Sequence, residues 1–203
     1  MVEQKAKNLK IAARLIANTK RVVAQTDFPL FIANGHQQKG ANFGERLANE
    51  VEKVFSHDFS RVIIIGNDCP ELCSQDLRNA DEFCDQANLV LGPTQAGGTY
   101  LITLNRAQFD KELFRQLNWE TAELLAAFKT YAAQQNASIH WLATLQDIND
   151  PAALQQLLKS LQDSHKFKKW ILLLTVEVRK IILNFIVTRI PAIVLQQPSL
   201  RAP

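Results

Sequence analysis

The sequence predicts an α/β fold in which a mostly parallel central sheet is covered by helices on both faces. Three observations carry that reading. Val62–Ile65 is an unbroken apolar run, the pattern of a strand buried on both faces. Leu77, Ala80, Phe83 and Cys84 follow at helical spacing, and Leu89–Leu91 is a second apolar strand. Strand and helix patterns then keep alternating, with no linker rich in Pro, Gly or Ser and no internal repeat to divide 203 residues. One α/β domain over residues 1–164 is expected, with 165–203 as a basic, apolar, helical extension.

Each element has a local reason. Residues 5–24 place Leu9, Ala12, Ile16 and Val23 on one stripe with lysines elsewhere, an amphipathic helix. Residues 29–33 read as a short buried strand. Gln38-Lys39-Gly40-Ala41-Asn42-Phe43-Gly44-Glu45-Arg46-Leu47 opens a second helix, whose Phe43, Leu47, Val51, Val54 and Phe55 keep the 3.6-residue period. Residues 121–135 form a helix through Leu124, Leu125, Phe128 and Tyr131, and 139–142 a further strand. Asp150-Pro151 starts another helix, since Asp accepts free amides at the N-cap and Pro is tolerated at the first helical position. In the tail, Lys168–Leu195, the residues Phe167, Trp170, Ile171, Leu174, Val178, Ile181, Ile182 and Phe185 give a wide apolar helical face. Glu177, Arg179, Lys180 and Arg189 interrupt it, which excludes an ordinary membrane span. Packing on the domain, a homo-oligomer contact and a peripheral membrane contact through 167–195 all remain open for it.

Composition narrows the function classes. Apolar residues make up 47% and charged residues 21%, as in an ordinary globular protein. The net charge of +3 conceals an asymmetry: about +5 over residues 1–46, −8 over 47–164 and +6 over 165–203. The basic flanks suit nucleotide phosphates or another polyanion, but no nucleic-acid-binding motif accompanies them, so no nucleic-acid partner is expected. Cys69, Cys73 and Cys84 fit a reduced cytoplasmic protein, and the N-terminus lacks a signal peptide's apolar core. No second Cys/His pair joins Cys69 and Cys73 at zinc spacing. His36, His57, His140 and His165 form no ligand cluster, and no Ser/His/Asp or Cys/His nucleophile arrangement is legible.

The chemistry concentrates after the strands. Gly66-Asn67-Asp68-Cys69-Pro70 stops the first apolar run and sets a carboxylate just past its carboxyl end, where open α/β sheets put ligands. Gly92-Pro93-Thr94-Gln95-Ala96-Gly97-Gly98 follows the next strand. The run GNDCPEL…LVLGPTQAGGTYLI, with QKGANFGERL, Trp119-Glu120-Thr121 and Asp147-Ile148-Asn149-Asp150-Pro151 in order, resembles an uncharacterised bacterial group of glycosyltransferase-A-like proteins. That group lies in the nucleotide-diphospho-sugar transferase superfamily, and the likeness spans about residues 5–160. More distantly the pattern is similar to guanylyltransferases of cofactor biosynthesis.

The resemblance implies a transferase using a nucleotide-diphospho-sugar, or a nucleoside triphosphate, with Mg²⁺ or Mn²⁺ offsetting the phosphate charge. It implies metal ligation by Asp68 and Asp147. It implies nucleotide contacts from Gln38, Gly40, Gly44, Glu45, Arg46, Asn67, Gly97 and Gly98, and an acceptor side at Trp119 and Thr121. Residue types leave bland alternatives beside these: Asp68 as a turn acid, Arg46 as a salt-bridge partner, Gly97 and Gly98 as a tight turn, Trp119 and Thr121 as packing. Asp150 is better explained as a helix cap. One antiparallel strand at Thr99–Leu104 is implied too. Two departures stand out. Relatives usually carry aspartate where this chain has Ala96, and they begin with a strand and a basic loop before the first helix. Their sheet is therefore expected to be one strand short here, or to have that strand supplied by another segment. The same departures leave open a non-catalytic nucleotide-binding member of the fold.

Overall fold

The computed structural model describes residues 2–33, 35, 38–87, 89–163, 165–175 and 193–195. Helix α1 (Val2–Val23) leads into strand β1 (Leu30–Ile32), helix α2 (Phe43–Phe55), strand β2 (Arg61–Ile65) and helix α3 (Ser74–Gln86). Strands β3 (Leu89–Pro93) and β4 (Thr99–Asn105) come next, then a 3-10 turn at Arg106–Gln108 and helices α4 (Lys111–Arg115) and α5 (Leu124–Gln134). Strand β5 (Ile139–Trp141), helices α6 (Pro151–Ser160) and α7 (Lys166–Thr175) and strand β6 (Ile193–Leu195) complete the order.

Among the described residues the sheet has six strands in the order β1-β6-β2-β4-β3-β5. Strands β1, β2, β3 and β5 point one way; β4 and β6 point the other. Only the β3–β5 pairing is parallel, which corrects the expectation of a mostly parallel sheet. The cause is placement. The reversed strand expected at 99–104 lies inside the sheet, between β2 and β3, and a second reversed strand lies between β1 and β2. Each interior reversal makes two antiparallel contacts. The second reversed strand comes from the C-terminal segment, so the tail's helical pattern does not run through Leu195. Ile193 and Val194 are β-branched and pair with Phe31 and Ile32 on one side and Ile64 and Ile65 on the other. The tail positions Val178, Ile181, Ile182 and Phe185 lie outside the described residues.

Helices cover both faces, as the continuous apolar runs require. Val62 and Ile64 of β2 face a core built with α2, α4 and α5, where Val51, Phe55, Phe114 and Phe128 are buried. Ile63 and Ile65 face the other side and meet Leu77, Ala80 and Cys84 of α3 and Val22 and Val23 of α1. A third cluster joins α1, α6 and α7 through Ile11, Leu15, Leu157, Phe167 and Ile171, with Ile148 inside it. Asp150 caps α6 as the sequence predicts, its Oδ1 accepting from Ala153 N at 2.8 Å.

Candidate functional site

Because β1, β2, β3 and β5 share one direction, the segments after β2, β3 and β5 emerge along the same edge of the sheet. There they enclose a cavity of about 240 Å³. Its rim comes from Gly66, Asn67 and Asp68 after β2, Thr94, Ala96, Gly98 and Thr99 between β3 and β4, and Asp147 and Asn149 after β5. Phe43, Leu47, Ile64, Ile102, Trp119 and Leu124 supply an apolar wall, and the turn at Glu120–Ala122 closes the mouth. The two loops carrying Asp68 and Asp147 are stitched together, since Ile148 N donates to Asp68 O at 3.0 Å. That bond puts both carboxylates into one cavity although 79 positions separate them in sequence.

Asp147 is buried and accepts from the Asn149 carboxamide. Asp68 stands over Gly66: a Cβ at residue 66 would meet Asp68 Oδ1 at 2.9 Å, so a side chain there would push the carboxylate away. Cys69 is buried beneath and donates to Asp68 Oδ1 at 3.8 Å. Burial first, then the Asp68 and Asp147 carboxylates, push its thiol well above the usual range, so it stays a protonated donor and not a thiolate ligand. Asn67 Nδ2 is buried with no partner among the described residues, a donor that an oxygen of a ligand could satisfy. Tyr100 lies across Gly92, whose Cβ would come within 2.4 Å of Tyr100 Cζ, and its hydroxyl donates to Ala143 O at 3.1 Å. Burial raises that phenol far above its ordinary value, leaving it a fixed neutral wall.

The glycine turn divides its two readings between its two glycines. Thr94 is buried and organises the loop: Thr94 N bonds Gly98 O at 2.9 Å, and Gly98 N bonds Thr94 Oγ1 at 3.1 Å. Gly97, at φ +87°, is the conformational requirement of a tight turn and does not line the cavity, whereas Gly98 does.

The residues expected to approach a nucleotide from the start of α2 do not line the cavity. Gly40, Glu45 and Arg46 build the helix entry instead, and Gln38 is likewise not among the lining residues. Glu45 N bonds Asn42 Oδ1 at 2.8 Å and Glu45 Oε2 accepts from Ala41 N at 2.7 Å, a reciprocal cap that also reaches Arg115 at 3.7 Å. Gly40, at φ +147°, presses on Arg46 N, 2.7 Å from where a Cβ would stand. Gly44 is buried against Trp119 and Arg115. Trp119 both packs and lines: Nε1 donates to Phe114 O at 2.9 Å, edge contacts join it to Phe43, Phe114 and Phe128, and its exposed side faces the cavity. Thr121 also lines it, with Oγ1 donating to Asn118 O at 2.9 Å.

Sequence reasoning missed Glu120. It lines the cavity with φ +63°, a backbone region that non-glycine residues seldom occupy. Its position in the Trp119-Glu120-Thr121 motif was the signal available. Asn149 and Phe43 line the cavity as well, although the sequence marks the first only as part of the Asp147–Asp150 run and the second only as a core position of α2.

The chain belongs to a family of uncharacterized proteins conserved in bacteria (DUF2064), whose profile matches residues 4–121. Among curated proteins none matches. The fold is similar to the crystal structure of a Desulfovibrio desulfuricans G20 protein assigned provisionally to the nucleotide-diphospho-sugar transferases. The two share 16% identity with a TM-score of 0.72, over 86% of each chain. That likeness shows that the two chains share a fold. Among its described residues no helix is long and apolar enough to cross a membrane, and no three Asp, Glu, His or Cys groups stand together as a metal cluster.

Proposed function

We propose that the cleft binds a nucleotide-diphospho-sugar together with a divalent cation and transfers the sugar to an acceptor. The observation that carries this reading is the charge of the lining. Asp68, Glu120 and Asp147 are acidic side chains, and among the described residues no Lys, Arg or His lines the cavity. Two like charges about 5 Å apart repel by roughly 3 kcal/mol at an effective dielectric constant of 20, so a diphosphate would enter only with a cation between it and the carboxylates. The donors present are oxygens, from Asp68, Asp147 and the Asn149 side chain, which suits Mg²⁺ or Mn²⁺ and not a thiophilic metal. Ligation by the two carboxylates of Asp68 and Asp147 matches the habit of Mg²⁺, which completes its shell with water and substrate phosphate. Bound there, the ion would offset the charge that develops on the leaving diphosphate.

The chain's own residues account for the rest. The Trp119, Phe43 and Leu47 wall shields one side from water and offers a flat apolar surface to a base or a sugar face. Asn67 Nδ2 supplies a fixed donor, and Thr121 lies in the turn at the mouth, where an acceptor would enter.

Calorimetry with nucleoside diphosphates and nucleotide-sugars, with and without Mn²⁺, tests the reading. Binding should require the cation. Asp68→Asn should weaken it by about 10- to 150-fold, the equivalent of 1.5–3 kcal/mol for a lost charge-assisted contact. Cation-independent binding, or full affinity in Asp68→Asn, would refute it. Ala96 supports a second reading, a nucleotide-binding member without turnover, because this rim position offers a methyl group and no ligand atom. Cation-dependent binding without sugar transfer or hydrolysis would select that alternative.

A further inference from the structure

The two basic flanks of the sequence take no part in the acidic cleft, yet the fold brings them to one place. Helix α1 has six basic residues and one acidic, and α7 has three lysines and no acid. Ile11 and Leu15 of α1 pack with Phe167 and Ile171 of α7, and the Arg14 guanidinium lies 5.5 Å from the ring centroid of Trp170. At this junction is a second cavity, of about 70 Å³, lined by Arg14, Ala17, Asn18, Arg21 and Phe167.

Arg14 and Arg21 are seven residues apart, two turns of α1, and so share a face. Among the described residues neither pairs with a carboxylate. Asn18 stands between them. Its Oδ1 accepts from Arg21 Nη2 at 2.9 Å, while its Nδ2 donates to Pro70 O at 3.4 Å. The carboxamide therefore holds one guanidinium in position and ties the cavity to Pro70 in the loop after β2. Ala17 leaves the floor open, and Phe167 makes one wall apolar, which strengthens charge-assisted bonds formed against it.

We propose that this cavity is a phosphate-binding site. An anion between the two guanidiniums removes their mutual repulsion, and only a group with several acceptor oxygens can meet both forks at once. Phosphate does so, as the free ion or as a monoester such as a lipid headgroup. The site is separate from the acidic cleft, and it holds whether or not the transferase reading does.

The test uses the full chain in two arms at fixed ionic strength with chloride as background anion. One arm is calorimetric titration with inorganic phosphate. The other is flotation with phosphatidylcholine vesicles, with and without phosphatidic acid. Arg21→Gln is the informative variant, because Arg21 is exposed and Arg14 also stacks on Trp170. Saturable binding is expected in at least one arm, weakened at least tenfold by Arg21→Gln at an unchanged melting temperature, and unaffected by Asp68→Asn. Response to inorganic phosphate alone assigns a free phosphate ligand; response to phosphatidic acid vesicles alone assigns a headgroup. No saturable binding in either arm, equal affinity in Arg21→Gln, or loss of binding in Asp68→Asn overturns the proposal.

Discussion

Replacing Gly44 with alanine adds one methyl group where the structure has no room for it. A Cβ at residue 44 would stand 2.3 Å from the Arg115 carbonyl oxygen and 2.4 Å from Trp119 Cδ1, about 1 Å inside ordinary contact on two sides. Neither neighbour yields easily. The carbonyl is backbone at the end of α4, and the indole is held by its bond to Phe114 O and by edge contacts to three aromatic rings. Overpacking of this kind costs about 1–3 kcal/mol, and the better helix propensity of alanine returns at most about 1 kcal/mol. Close approach on two sides puts the cost in the upper part of that range, and the net loss of about 1–2 kcal/mol corresponds to a fall in melting temperature of roughly 2–8 °C for a domain of this size. Since Trp119 lines the cleft, the same substitution should also change tryptophan emission and, under the proposed function, nucleotide affinity. Urea and thermal unfolding followed by circular dichroism measure the first effect. A melting temperature equal to or above that of the parent would refute the argument, showing that α2 and α4 have slack that absorbs the methyl group.

Two further outcomes follow from the cysteines. Cys73 is exposed while Cys69 and Cys84 are buried, so one thiol should react with a chromogenic disulfide in the native state and all three in denaturant; two or more native thiols would contradict the burial. Burial pushes Cys84 up to about 11 from 9.0, against a smaller opposing pull from Arg61, so the folded chain binds a proton that the unfolded chain releases at lower pH. Stability present below pH 9 should therefore be lost as pH rises through 11, by about 2 kcal/mol, and Cys84→Ala should flatten that part of the pH dependence of the urea midpoint. An identical alkaline slope in the variant would remove Cys84 as its source.

What the sequence determined by itself is local. The unbroken apolar runs marked β2 and β3 as strands buried on both faces, because each side of the sheet needs its own helix layer. The 3.6-residue periods of α2 and α5 and the Asp150-Pro151 start of α6 were likewise legible, since capping and periodicity act within a few residues. So was the position of Asp68, because a strand that stops at a glycine leaves the next polar residues at the sheet's edge. Tertiary structure decided everything that depends on neighbours far away in sequence. Residues 193–195 enter the sheet between β1 and β2, and β4 enters between β2 and β3, turning an expected parallel arrangement into a mainly antiparallel one. Gly40, Gly44, Glu45 and Arg46 form a motif in sequence, yet capping bonds and the Trp119 ring absorb them, because a helix end must satisfy its own amides and its own packing first. Glu120 joined the cleft only because its turn packs against the loop between β3 and β4, where Ala122 meets Gly97. The meeting of α1 with α7 is likewise a matter of packing: two segments of like charge come together because Ile11, Leu15, Phe167 and Ile171 bury one another, which leaves the guanidiniums of Arg14 and Arg21 at the junction.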